Sequence, residues 1–144
     1  MATADLPSLE KSYVTFVEFL MISKHHVFEM AIKHGLTGMQ AITLCLLDKP
    51  RPMHTLGKVF NCDPSNITGI IDGLEHKGLV ARFENPDDRR LKMVEIRHGG
   101  LAIRTALLQE LCGPTGYLMS KLNPSEASQF TKLVAKITNG ELSI

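Results

Sequence analysis

The 144-residue sequence predicts a mainly α-helical fold with one small β-ribbon, and three observations predict it. Apolar residues recur at helical spacing through most of the chain. A polar helix start, Asp63-Pro64-Ser65-Asn66-Ile67-Thr68, leads into a helix that stops at Gly78. A charged hairpin follows directly, with Asn85-Pro86-Asp87-Asp88-Arg89-Arg90 at its tip. A helix that opens on small hydrogen-bonding side chains, followed by a basic-tipped ribbon, is the layout of a winged helix-turn-helix. The partner that this layout implies is duplex DNA.

The first helix is expected over residues 8–33. Leu9, Tyr13, Phe16, Leu20, Val27 and Ala31 fall on one stripe, while Val14, Phe19, Ile22, Phe28 and Ile32 widen it. A helix so broadly apolar must be covered on more than one side, by its own domain and by a partner subunit. His34-Gly35 ends it, glycine being a natural stop. Thr37 can cap the next helix, filled by Met39, Ile42, Leu44, Leu46 and Leu47. Lys49-Pro50-Arg51-Pro52 reads as a rigid break, because neither proline can continue a helix. A short third helix over residues 53–60 points Leu56, Val59 and Phe60 inward, and Asn61-Cys62 makes the turn.

The fourth helix has Asp63 as N-cap and Pro64 at its first position, where a missing N–H costs nothing. Ile67, Ile70, Ile71 and Leu74 form its buried stripe, which leaves Ser65, Asn66, Thr68, Gly69 and Asp72 facing out. Two strands follow, over residues 79–83 and 91–96. In the second, Val94 and Ile96 look out of step with Leu91 and Met93. Helical spacing returns over residues 101–112 and breaks at Gly113-Pro114. Asn123-Pro124-Ser125-Glu126 then announces a last helix with a capping box, and its stripe is Ala127, Phe130, Leu133, Val134 and Ile137.

Composition narrows the function classes. The chain is 44% hydrophobic and 22% charged, which suits one globular domain with a real core. Its formal net charge is only +1, so any basic surface must be concentrated, and Arg82, Arg89, Arg90, Lys92 and Arg97 do cluster in sequence. Cys45, Cys62 and Cys112 are widely spaced and show no CxxC pattern, which speaks against a zinc ribbon or a disulfide framework. Cys45 reads as a buried, inert thiol, and a reducing cytoplasm fits.

No run approaches the roughly 18 apolar residues of a membrane span. The segment Met1-Ala2-Thr3-Ala4-Asp5-Leu6-Pro7 lacks the layout of an export signal. His25 and His26 point about 100° apart on a helix. The six histidines show no H-x-x-x-H spacing, so no metal or other cofactor is expected. The chain also lacks a P-loop, a dinucleotide fingerprint and a Ser-His-Asp order, so an enzyme is not expected.

The chain resembles the MarR family of bacterial winged-helix regulators over most of its length. The matching pieces are Leu36-Thr37, Asp63-Pro64-Ser65-Asn66-Ile67-Thr68 and Leu74-Glu75-His76-Lys77-Gly78-Leu79-Val80. To these is added Asp88-Arg89-Arg90 with Val94 and Ile96 behind it, similar to the family's D-x-R-x-x-x-V-x-[LI] wing motif. The resemblance implies a homodimer with interlaced terminal helices, residues 8–34 and 101–140, and a winged lobe over residues 36–98, all within one unit spanning residues 1–144. It further implies binding to a pseudo-palindromic operator, usually as a repressor, with release by a small phenolic or other aromatic ligand. Tyr13, Phe16, Phe28 and Met39 could line such a ligand cleft, though each is also an ordinary core residue. Redox sensing in such relatives uses a cysteine in the first helix, and this chain has none there.

Departures from the resemblance concern Gly73, which stands where relatives carry Arg, and Arg97, which replaces a capping Thr. The first implies a missing phosphate contact and an interior glycine that costs roughly 1 kcal/mol. The second, with Gly99-Gly100 behind it, implies a softer start to the fifth helix.

On DNA, the candidate contacts are Ser65, Asn66, Thr68 and Gly69 from the fourth helix and Arg89, Arg90 and Lys92 from the wing. Asn66 can pair with adenine, Ser65 and Thr68 are less discriminating, and Gly69 lets the backbone approach closely. Residues 63–76 contain no Arg or Lys, so specificity should rest on Asn66, Thr68, thymine methyl groups and DNA shape. Arg90 is the candidate for the minor groove, Arg89 and Lys92 for phosphates, and Asp88 for orienting a neighbouring guanidinium as a wing stabiliser. The other reading, favoured by the low net charge, is a winged-helix module that docks a protein and binds DNA weakly or not at all.

Overall fold

Local capping signals place most of the helices. The computed structural model describes residues 5–114 and 116–139, so the segment weighed above as an export signal lies largely outside it, as does residue 140. Helix α1 spans Leu6–Lys33, starting two residues earlier than expected, with a proline in its first turn. Helix α2 (Gly38–Leu46) is closed at its start by a reciprocal capping box. The Gln40 backbone N–H donates to Thr37 Oγ1, and Gln40 Oε1 accepts from the Thr37 N–H. Helices α3 (Met53–Phe60) and α4 (Pro64–His76) form the helix-turn-helix, joined through Asn61 in the left-handed region at φ 47°. Asp63 holds the N-cap position in backbone conformation only, because its side chain makes no capping hydrogen bond. Helix α5 spans His98–Cys112 and α6 spans Pro124–Ile137, with a short 3-10 turn at Met119–Lys121 between them. The start of α6 carries the expected capping box, Asn123 with Glu126.

The ribbon is wider than the sequence suggests. Strands β2 (Val80–Glu84) and β3 (Lys92–Ile96) pair antiparallel, and β1 (Arg51–Pro52) adds to the other edge of β3. The segment read as a rigid break is therefore a strand as well, with Arg51 opposite Val94 and Pro52 opposite Met93. Arg51 is buried there, donating to the Leu46 carbonyl and to Asp48. In β3 the core-facing alternation is the one that contains Val94. Val94 is fully buried and shares the core face with Ile96, so Met93 is the residue on the other face, where the Asn85 amide approaches its sulfur.

The core joins the C-terminal end of α1 to α2, α3, α4, α5 and the sheet through Ala31, Leu44, Leu56, Ile71, Leu74, Val94 and Leu107. Ile70 is only partly buried. Within one protomer α1 is covered only toward its C-terminal end. Val27 and Ala31 are buried, whereas Leu9, Tyr13, Phe16 and Leu20 of the same stripe are exposed. No residue of α6 is buried, and its contact with α1 includes Phe19 against Phe130, edge to face at 5.9 Å.

Two glycines read as weaknesses prove to be close approaches. A Cβ at Gly100 would overlap the Leu79 carbonyl oxygen and crowd Ile96, so α5 docks on the sheet only without a side chain there. The first turn of α5 is helical from His98 with no side-chain cap from Arg97, whose backbone N–H bonds the Leu79 carbonyl at 2.8 Å. A Cβ at Gly73 would overlap the Gln40 side-chain amide that completes the α2 capping box. Gly73 thus faces α2 at its packing contact with the recognition helix.

Candidate nucleic-acid interface

Helix α4 presents the expected residues on its open side: Ser65, Asn66, Thr68 and Gly69 are all exposed. The Thr68 hydroxyl donates to the Pro64 carbonyl at 2.8 Å, which spends its proton and leaves its oxygen as an acceptor. A base amino group, on adenine or cytosine, is the complement of that acceptor. Gly69 has open space where a Cβ would be.

The wing tip is built from short side-chain-to-backbone bonds. Asn85 Oδ1 accepts from the Asp87 N–H at 2.8 Å, and Asp88 Oδ1 accepts from the Arg90 N–H at 3.1 Å. Asp88 also receives the Arg90 guanidinium through both oxygens, at 3.0 and 3.2 Å. The Arg90 side chain and its backbone N–H together hold the Asp88 carboxyl below the ordinary aspartate range. Lys92 reaches across the strand pair to Glu84 at 2.7 Å. Arg89 makes no ion pair among the described residues. These exposed pairs are worth little in water, so a phosphate can take over either cation at small cost.

Not all of the cations that cluster in sequence reach this surface. Arg82 points to α4, where Nη2 lies 2.6 Å from Asp72 and 2.5 Å from Glu75. Glu75 also accepts from the Arg82 backbone N–H at 3.2 Å, so one carboxylate binds both the side chain and the edge of β2. The clamp joins the recognition helix to the base of the wing. Arg97 lines a different depression, beside Glu75 and Gly78.

Bonding by the Arg82 side chain, with its backbone N–H next, lowers the Glu75 pKa from its ordinary value of 4.5. A carboxylate with a depressed folded-state pKa contributes stability above the unfolded value and loses it as pH falls through the folded one. Urea midpoints should therefore hold steady from neutrality to about pH 5 and fall below it. An Arg82→Met variant should be weaker at neutral pH and show a shallower acid decline. Parallel curves for the two proteins would remove the clamp from the stability account.

Between α3, the turn, α4 and the wing runs a groove of about 610 Å³ bordered by Met53, His54, Lys58, Thr68, Arg90 and Lys92. His54 and Lys58 were not among the sequence candidates. Reading Leu56, Val59 and Phe60 as inward already left both on the outer face of α3. A second cavity, about 460 Å³, lies between α1, α2 and α5 and is lined by Leu20, Lys24, Phe28, Met39, Cys45 and Leu108 among others. Tyr13 and Phe16, named as possible cleft residues, are not part of that lining. Burial raises the Cys45 thiol above its ordinary pKa, so it carries little thiolate. Among the described residues, no cluster of three or more His, Cys, Asp or Glu is placed to hold a metal, and no helix is long and apolar enough to cross a membrane.

Comparison with known proteins agrees with this geometry. The MarR family model matches residues 42–92, from α2 to the wing. The chain is 30% identical over 115 residues to the HTH-type transcriptional repressor NicR of Pseudomonas putida, covering 78% of this chain and 73% of the relative. Its fold is similar to that of BldR from Sulfolobus solfataricus, with a TM-score of 0.75, 22% identity and coverage of 95% and 99% of the two chains. A mutant of E. coli MarR complexed with operator DNA is similar at a TM-score of 0.62 and 25% identity, covering 93% of this chain and 99% of that one.

Proposed function

This chain belongs to the MarR family of DNA-binding transcriptional regulators, and from that premise we propose that it is a homodimeric repressor of a pseudo-palindromic operator. The family and the relatives are regulators, not enzymes. The observation that carries the reading is the placement of exposed Ser65, Asn66 and Thr68 beside a groove whose far wall holds Arg90 and Lys92. Helix α4 enters the major groove by its N-terminal turn, Asn66 and Thr68 read base edges, and Gly69 permits close approach. Arg90 reaches the minor groove from the wing, Arg89 and Lys92 contact phosphates, and Asp88 fixes the direction of the Arg90 guanidinium.

Residues 8–34 and 101–140 form the dimer layer and residues 36–98 the DNA-binding lobe. Repression is supported by the likeness to NicR, a named repressor, and operator binding by the likeness to MarR solved on operator DNA. The apolar cavity beneath α1 has the size and lining for a small aromatic effector.

The reading is tested by fluorescence anisotropy on a duplex from upstream of the protein's own gene and on its scrambled sequence, each at two salt concentrations. Tighter, salt-sensitive binding to the upstream duplex is expected. Equally weak binding to both would favour the protein-docking module instead, a reading supported by the pairing of Arg82, Arg90 and Lys92 with carboxylates. Arg90→Ala should weaken binding to both duplexes and flatten the salt dependence by about one unit of slope. Unchanged affinity and slope would take Arg90 out of the interface.

A further inference from the structure

The cations that line the groove differ in what already holds them. Arg90 is held by Asp88 and Lys92 by Glu84, so each reaches DNA only by sharing or exchanging a carboxylate. On the opposite wall of the groove, Lys58 makes no ion pair among the described residues and is exposed, with His54 one turn before it on the same face of α3. Among the described residues, no Asp or Glu lines the groove.

We propose that Lys58, with His54 beside it, forms a second phosphate-gripping site on α3, across the groove from the wing tip. The proposal rests on the DNA-binding reading above and relocates part of its charge. Helix α4 brings no Arg or Lys, so a cation is needed close to its N-terminal turn. Pro64 and Thr68 of that turn line the same groove as Lys58. A duplex with its major groove over Ser65 and Asn66 carries a phosphate strand along α3, where the ammonium of Lys58 meets it without a competing carboxylate. The His54 ring adds an N–H donor to the same strand.

The test uses the full chain and two fluorescent 30-base-pair duplexes, one from upstream of its gene and one of random sequence. Lys58→Gln should reduce the magnitude of the salt slope by about 0.9 on both duplexes and weaken binding about eightfold at 0.1 M salt. Lys58→Arg should restore slope and affinity, and His54→Ala should weaken both duplexes about threefold, as loss of a single hydrogen bond does. Thermal melting of all three variants should match the parent, because both side chains are exposed. A Lys58→Gln variant with the parental slope overturns this proposal while leaving DNA binding intact, and so does failure of Lys58→Arg to restore it. A parent protein that binds neither duplex overturns the DNA-binding reading itself.

Discussion

A Leu133→Glu, Ile137→Glu double variant is expected to sediment as a monomer and to bind an operator duplex about a hundredfold to ten-thousandfold more weakly than the parent. Both side chains are large, apolar and exposed on α6, at 59% and 78%. They accompany an equally uncovered stretch of α1 that includes Leu9, Tyr13 and Val14. Apolar surface of that extent on a single chain marks a place where another chain belongs. Carboxylates introduced into such an interface would be desolvated without a partner, a cost large enough to keep the subunits apart. The loss of affinity follows from bivalency: with two half-sites engaged, the second contact is intramolecular, and separation of the subunits forfeits that advantage. The winged lobe should survive, because α6 contributes no buried residue to it. Circular dichroism should show retained helix, and sedimentation velocity should show the change of mass. A dimer that persists in the double variant, or a monomer with parental affinity, would remove α6 from the assembly.

Leu74→Ala is expected to cost about 2–5 kcal/mol of stability, the range for truncating a fully buried leucine. Leu74 has no exposed surface and anchors the C-terminal half of α4 in the core shared with Leu44, Leu56 and Val94. These core residues come from α2, α3 and β3, so the cavity that Leu74 leaves cannot be closed by moving one element. At about 3 °C per kcal/mol for a chain of this size, the melting temperature should fall by about 6–15 °C. The measurement needs one fixed protein concentration, because coupling to the proposed dimer would make the midpoint concentration-dependent. DNA binding should weaken alongside, since α4 loses the contact that sets its depth. A loss below 1 kcal/mol would mean that α4 is held mainly by its polar clamp to β2.

That clamp marks the limit of what can be read from sequence. Arg82 looks like one more wing cation until the structure turns it toward Asp72 and Glu75. Gly73 looks like a lost phosphate contact, and only the structure shows the Gln40 amide lying where its Cβ would be. The wing motif was legible as far as its loop, because Asn85, Asp87, Asp88 and Arg90 bond to one another within a few residues. Lys58 was overlooked because nothing in its own neighbourhood reveals that the wing closes a groove over it.

By itself, the sequence determined the helices, the Thr37 and Asn123 caps and the polar face of α4. A proline at the first helical position, an Asn123–Glu126 capping box or an i, i+3, i+4 apolar stripe acts within a turn or two of helix, where chain connectivity already brings the groups together. The tertiary structure alone decided that residues 51 and 52 pair with residues 94 and 93, that Gly100 must lie against Leu79, and that Arg82 spends its charge on α4. Those contacts depend on the angle and depth at which finished elements dock, which is set by the shape of the whole core and written in no single segment of the chain.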